Sequence, residues 1–197
     1  MSLHFSIAHW DADLQAAEGL KVLLHRHYPE ASIAMVPDKP RLKNVDGGAW
    51  LERIFRSLPE GFDHYFKIEP DVQILQAATK IPEEDWFGHV RYHEGTRRLI
   101  AYGGLWGFSR DAIDRVLQSG LLADTKYLSR DFTYDRYGKF ILPGETPAPP
   151  LYSCDHIMAD VMSRLSITPQ QWDAVHLTFR ESHREPIAHI GAIAFFN

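Results

Sequence analysis

The chain has 197 residues, 45% apolar and 24% charged, enough to bury a full core and best read as one domain over 1–197. A net charge of −5, with the Lys and Arg residues scattered, excludes a nucleic-acid binder built on a broad basic face. One cysteine, Cys154, excludes an internal disulfide and a cysteine-rich zinc site; no apolar stretch approaches a membrane span and no secretory leader is visible, so a cytoplasmic location is expected.

His4 to Trp10 reads as a short apolar strand, followed by a helix with Leu14, Ala17, Leu20, Leu24 and Tyr28 on one face. Asp11 or Asp13 is placed to cap that helix, and Pro29 closes it. Ala31 to Val36 is a second strand. Strand, helix, strand over some thirty residues predicts a parallel βαβ unit. After the polar, basic stretch 37–48, Ala49 to Leu58 has a helical pattern, and a third strand runs from Tyr65 to Ile68.

From residue 80 the pattern changes. Phe87–Tyr92 and Arg98–Tyr102 read as a hairpin, with Gly103-Gly104 breaking its second arm. Ser109 caps a helix over Arg110–Gln118, with Asp111 in its first turn and Gly120 beyond its end. Residues 124–152, rich in Asp, Tyr, Gly and Pro, read as a long loop of the kind that forms lids. Asp155 opens a further helix, and Trp172–Phe179 is a late strand.

The third strand carries the clearest chemistry. It runs directly into Glu69-Pro70-Asp71, and residues two apart on an extended chain share a side, roughly 6–7 Å apart. Two such carboxylates suit a divalent cation such as Mg²⁺ or Mn²⁺ whose shell is completed by substrate phosphates. Pro70 lacks the N–H of a sheet ladder, so pairing should stop there. The acids then lie at the open end of a strand, where α/β sheets bind their ligands. Two other acidic pairs have the same spacing, Asp11/Asp13 and Glu83/Asp85; neither follows an apolar strand.

Three blocks, in order, resemble the GT-A class of glycosyltransferases, in its fringe and galactosyltransferase-like branch. Phe66-Lys67-Ile68-Glu69-Pro70-Asp71-Val72 is similar to that family's strand and DxD motif, with Glu in the first acidic place. Tyr102-Gly103-Gly104-Leu105-Trp106-Gly107-Phe108-Ser109-Arg110-Asp111-Ala112 resembles its glycine-containing stretch and the helix start near the acceptor. Ser153-Cys154-Asp155-His156-Ile157 stands where the family has an acid opening a helix below the acceptor. The resemblance implies a mostly parallel, helix-flanked α/β sheet of GT-A type with a small antiparallel element. It also implies a metal-dependent transferase that moves a sugar from a nucleotide-diphosphate sugar donor to a glycan or other hydroxyl acceptor. On this reading Asp71 ligates Mn²⁺ or Mg²⁺ directly, while Glu69 binds it through water or reaches the ribose. Asp155 is the general base if the enzyme inverts.

His9 and Trp10, after the first strand, and Asp38, after the second, are the candidates for nucleotide contact; Trp10 suits either base stacking or the core. Arg41 and Lys43 suit phosphate or plain solvation. His189 is the candidate third metal ligand, ahead of His176 and His183. His89 and His93 lie on a strand, roughly 13 Å apart, too far to share an ion. Trp106, beside two glycines, suits the core or an acceptor platform. Two other functions stay open: a non-catalytic nucleotide-sugar or carbohydrate-binding module on the same scaffold, and another metal-dependent nucleotidyltransferase or hydrolase using Glu69 and Asp71.

Overall fold

The computed structural model describes residues 1–37, 47–74, 77–78, 80–94, 97–124, 133–134, 140–141, 154–179 and 191–195. In chain order the elements are β1 (Leu3–Ala8), α1 (Leu14–His27), β2 (Ser32–Val36), α2 (Gly47–Ser57), β3 (His64–Ile68), β4 (Trp86–His93) and β5 (Arg98–Phe108). Then come α3 (Arg110–Ser119), β6 (Thr133–Tyr134), β7 (Phe140–Ile141), α4 (Cys154–Arg164), β8 (Gln170–Gln171), β9 (Val175–Phe179) and β10 (Gly191–Phe195).

Local chemistry accounts for the helices. In α1, Ala17, Leu20 and Leu24 are buried while Leu14 is exposed, so the apolar face starts one turn later than its periodicity alone suggests. Asp13 stands at the N-cap without a side-chain capping bond. Trp50, Leu51, Ile54 and Phe55 form the buried face of α2. The Ser109 hydroxyl accepts from the Ala112 N–H at 3.0 Å at the start of α3, and Gly120 ends that helix with φ 65°, a conformation that costs glycine little.

Six strands form one sheet in the order β2-β1-β3-β5-β4-β8. β1 pairs in parallel with β2 and β3, and β4 with β8; the β3–β5 and β4–β5 pairs are antiparallel. The sheet is therefore mixed, and the mostly parallel order expected is matched in part: the β1–β2, β1–β3 and β4–β8 pairs are parallel, the two pairs made by β5 antiparallel. The expected antiparallel hairpin is part of the main sheet: β4 lies further out and β5 returns between it and β3. Nor do the two glycines end β5, which continues to Phe108. The disturbance shows in the pairing instead. Gly88 faces Trp106 and His89 faces Tyr102, so residues 103–105 have no partner on β4 and lie against the end of β3. Trp172 precedes the late strand in a turn closed by the Val175 N–H on its carbonyl.

Side chains alternate across β3, and each face has its own core. Phe66 and Ile68 join Phe5, Ile7, Leu20, Leu24, Phe87 and Trp172 on the α1 side. Tyr65 joins Trp106, Phe108 and the apolar faces of α2, α3 and α4 on the other. Among the described residues, no helix is long and apolar enough to cross a membrane. Apart from β6 and β7, the expected lid at 124–152 lies outside the described residues beyond Asp124.

Candidate functional site

The parallel register brings three strand ends to one edge. Ile7 is level with Ile68 and Ala8 with Val36, so His9-Trp10, Pro37 and Glu69-Pro70-Asp71 all leave the sheet on the same side. β3 is central, so the edge at Glu69 is bordered by β1 on one flank and β5 on the other.

The two acids do not lie on extended chain. The Val72 N–H donates to the Glu69 carbonyl at 3.1 Å, closing a four-residue turn with Pro70 second and Asp71 third. Proline suits the second position because its ring presets φ. The Glu69 N–H donates to the Gly104 carbonyl at 2.7 Å, so pairing with β5 persists one residue past the strand. A Cβ on Gly104 would stand 2.9 Å from Glu69 Cβ, 3.0 Å from Val72 Cγ2 and 3.2 Å from Asp71 Oδ1. Only glycine lets β5 pass this close beneath the turn. Beyond it the chain is anchored by buried Val72, Ile74, Ala78 and Ile81, and the Ala78 N–H donates to the Tyr28 hydroxyl at 2.8 Å.

Beneath the turn is a residue that the sequence reading passed over. Lys67 faces the α4 side of the sheet with its side chain only 3% exposed. Its Nζ donates to Glu69 Oε1 and lies 4.4 Å from the centre of the Trp106 ring, where the indole face attracts an ammonium. Burial by itself would lower the lysine pKa. Glu69 above all, with Asp155 and Cys154 nearby, outweighs that and holds it above its ordinary value. Asp155 is in the first turn of α4, so Lys67 brings the charge at the end of β3 and the charge at the start of α4 to bear on one ammonium. A lysine at the inward-facing position of an apolar strand, two residues before an acid, was the signal available in the sequence.

The other candidates are placed as follows. His9 is buried, with Nδ1 3.0 Å from the Trp10 carbonyl oxygen, and Trp10 is half-buried at the edge. Asp38, Arg41, Lys43, His183 and His189 lie outside the described residues, as does the side chain of His176. Trp106 is fully buried beneath Lys67, which excludes it as an acceptor platform. Asp85 is structural: it accepts from the Ser109 hydroxyl at 2.7 Å and from Arg115 at 3.2 Å. His89 Nε2 is 2.9 Å from Arg91 Nε. His93 meets His156 edge-on at 4.8 Å, and burial, aided by the charge of His93, lowers the His156 pKa to about 4.

Among the described residues no group of three or more His, Cys, Asp or Glu could hold a metal ion. Glu69 and Asp71 supply two carboxylates in one tight turn, a donor set of hard oxygens. Mg²⁺ and Mn²⁺ are commonly held by one or two such carboxylates, with substrate phosphates and water completing the shell. In that sense the turn fits a divalent cation.

No protein-family model matches the sequence, and no curated protein matches it. A solved structure, the catalytic domain of Drosophila beta1,4galactosyltransferase 7 in complex with xylobiose, is similar with a TM-score of 0.49 and 10% sequence identity. The likeness covers 86% of this chain and 64% of that one, so the chain spans less than two thirds of that structure's length. At this level of likeness the functional reading has to come from the site's own residues.

Proposed function

We propose that the chain is a metal-dependent glycosyltransferase of GT-A type, transferring a sugar from a nucleotide-diphosphate sugar to an acceptor hydroxyl. The observation that carries this reading is that Glu69 is paired with the buried Lys67, on which Asp155 also acts, at the carboxyl edge of the central strand, where the same turn carries Asp71. The three sequence blocks that resemble the GT-A class supply Glu69, Gly104 and Asp155, and these converge there. Asp71 is the direct ligand of Mn²⁺ or Mg²⁺, which when bound neutralises charge developing on the leaving diphosphate. Trp10 is the aromatic surface for the base, and His9 and Asp38 are the further candidates for nucleotide contact. In an inverting transfer Asp155 takes the acceptor hydroxyl's proton as that oxygen bonds to the anomeric carbon. The carbon–phosphate oxygen bond breaks, and nucleoside diphosphate departs with the bonding pair.

The test separates binding from chemistry. In titration calorimetry with nucleoside diphosphate and Mn²⁺, Asp71→Ala should lose affinity by tenfold or more, on the order of 1.4 kcal/mol. Asp155→Ala should keep that affinity while turnover falls by roughly 10²–10⁴, the usual contribution of a general base. Loss of donor affinity in Asp155→Ala equal to that in Asp71→Ala would place Asp155 in the metal shell. Nucleotide binding without nucleoside diphosphate release, across a panel of acceptors, would indicate a binding module.

A further inference from the structure

We propose that Lys67 is the positioning residue of this site. It holds Glu69 inward, so that a divalent cation bound at Asp71 can recruit Glu69 only by competing with a built-in ammonium. The inference rests on the reading of Glu69 and Asp71 as a cation site.

An ammonium in the interior is costly and persists only when paired. Lys67 cannot escape along its stem to solvent, because its side chain is 3% exposed and its head lies over the Trp106 ring. Glu69, 21% exposed, is the partner that reaches the surface. The turn closed by the Val72 N–H fixes the Glu69 backbone, and the Glu69 N–H ties it to the Gly104 carbonyl of β5 at 2.7 Å. The Glu69 carboxylate is therefore committed to the interior at one oxygen.

The local charge agrees. Beside the carboxylates of the turn stands the ammonium of Lys67, which repels a cation bound there. Lys67 thus lowers the cation affinity of the empty site, so that tight binding requires phosphate oxygens from the donor as well.

Mn²⁺ alone is the probe, titrated into the full chain, with the unbound ion followed by its electron paramagnetic resonance signal. Lys67→Met keeps the length and apolar stem of the side chain and removes the charge. It should bind Mn²⁺ on the order of tenfold more tightly than the native chain, the scale expected from removing one nearby unit charge in a half-solvated site. The gain should vanish in Lys67→Met/Glu69→Gln. Lys67→Arg, which restores the charge, should behave as the native chain does. In the native background Glu69→Gln should change Mn²⁺ affinity less than about threefold, whereas Asp71→Asn should lose tenfold or more.

A folded Lys67→Met chain with unchanged or weaker affinity would overturn the proposal while leaving the cation site standing. Absence of Mn²⁺ binding in both native and Lys67→Met chains would overturn the cation site and the proposal together. Binding that appears only in Lys67→Met would support the proposal. If Lys67→Met does not fold, Glu69→Gln against Asp71→Asn decides: equal losses would overturn the proposal, and the unequal losses described would support it.

Discussion

Two buried charge pairs flank α4, and they are built in opposite ways. Near its first turn the cation is buried: Lys67 is 3% exposed and its partner Glu69 is 21% exposed. Near its last turn the acid is buried: Asp160 is 5% exposed and its partner Arg98 is 33% exposed. Asp160 also has Arg164 within 3.9 Å, and Arg164 in turn meets Asp124 at 3.1 Å. That second cluster ties α4 to β5 and to the end of α3's neighbouring turn, with arginines as the outward members. In the first, the outward member is a carboxylate, at the edge where the parallel strands end. Both pairs neutralise a buried charge. Only one presents an anion at that edge, so the proposed cation site draws on the Lys67 pair, while the Asp160 pair ties α4 to its neighbours.

Asp160→Ala is the sharpest way to break this contrast. It leaves two arginines without their shared acid, but both reach water, which softens the cost of an orphaned buried charge. The expected loss is about 2–4 kcal/mol of unfolding free energy, with Mn²⁺ and nucleotide affinity unchanged when measured below the unfolding transition. Chemical denaturation beside calorimetry checks both halves. A loss of Mn²⁺ affinity in folded Asp160→Ala would mean that the two pairs act as one network.

Gly104→Ala tests whether the turn is held in place by the close pass of β5. The added methyl meets three atoms at 2.9–3.2 Å, among them the Glu69 Cβ and the Val72 side chain. A destabilisation of about 1–3 kcal/mol is expected from this overpacking. Mn²⁺ affinity should change as well, because the turn carrying Asp71 must move. A variant that lost stability and kept native Mn²⁺ affinity would show that the turn relaxes without disturbing Asp71.

Much of the frame was legible because it depends on local patterns. The β1–α1–β2 unit, the cap at Ser109, the stop at Gly120 and the strand leading into Glu69 all follow from periodicity and turn chemistry within a few residues. The partner of β3 was not legible. That β5 lies against it, antiparallel, depends on contacts some forty residues apart, and so does the use of Gly104 beneath the turn. The Glu69–Asp71 geometry lay between these cases. An extended chain was the simplest picture, but Pro70 ahead of Asp71 is also a turn signal, and the turn is what formed. Lys67 was hidden for a different reason. A lysine reads as a surface residue until the alternation of β3 shows which face it occupies and the fold shows how closed that face is.

The smallest expected effect concerns two histidines away from the carboxylates' direct contacts. His4 is buried in β1, with ring nitrogens 3.0 Å from the Ser32 hydroxyl and 3.2 Å from that of Ser6. Burial lowers its pKa to about 4, and burial with the His93 charge does the same for His156. Both folded values lie below the 6.5 of an unperturbed histidine, so below that pH the unfolded chain binds protons more readily than the folded one. Their stabilising share is thus fully present above pH 6.5 and is lost as pH falls toward 4. Between pH 7.5 and 5 each should cost about 1 kcal/mol after allowance for solvent screening. Urea midpoints at the two pH values should therefore differ more in the native chain than in His4→Gln or His156→Gln. His156 follows Asp155 directly and lies four residues before Asp160, between the two charge pairs. If His156→Gln removed its share of the pH dependence and left Mn²⁺ affinity at pH 7.5 unchanged, the middle of α4 would carry packing alone. A shift in Mn²⁺ affinity would show instead that the cation end of α4 responds to what is packed along its length.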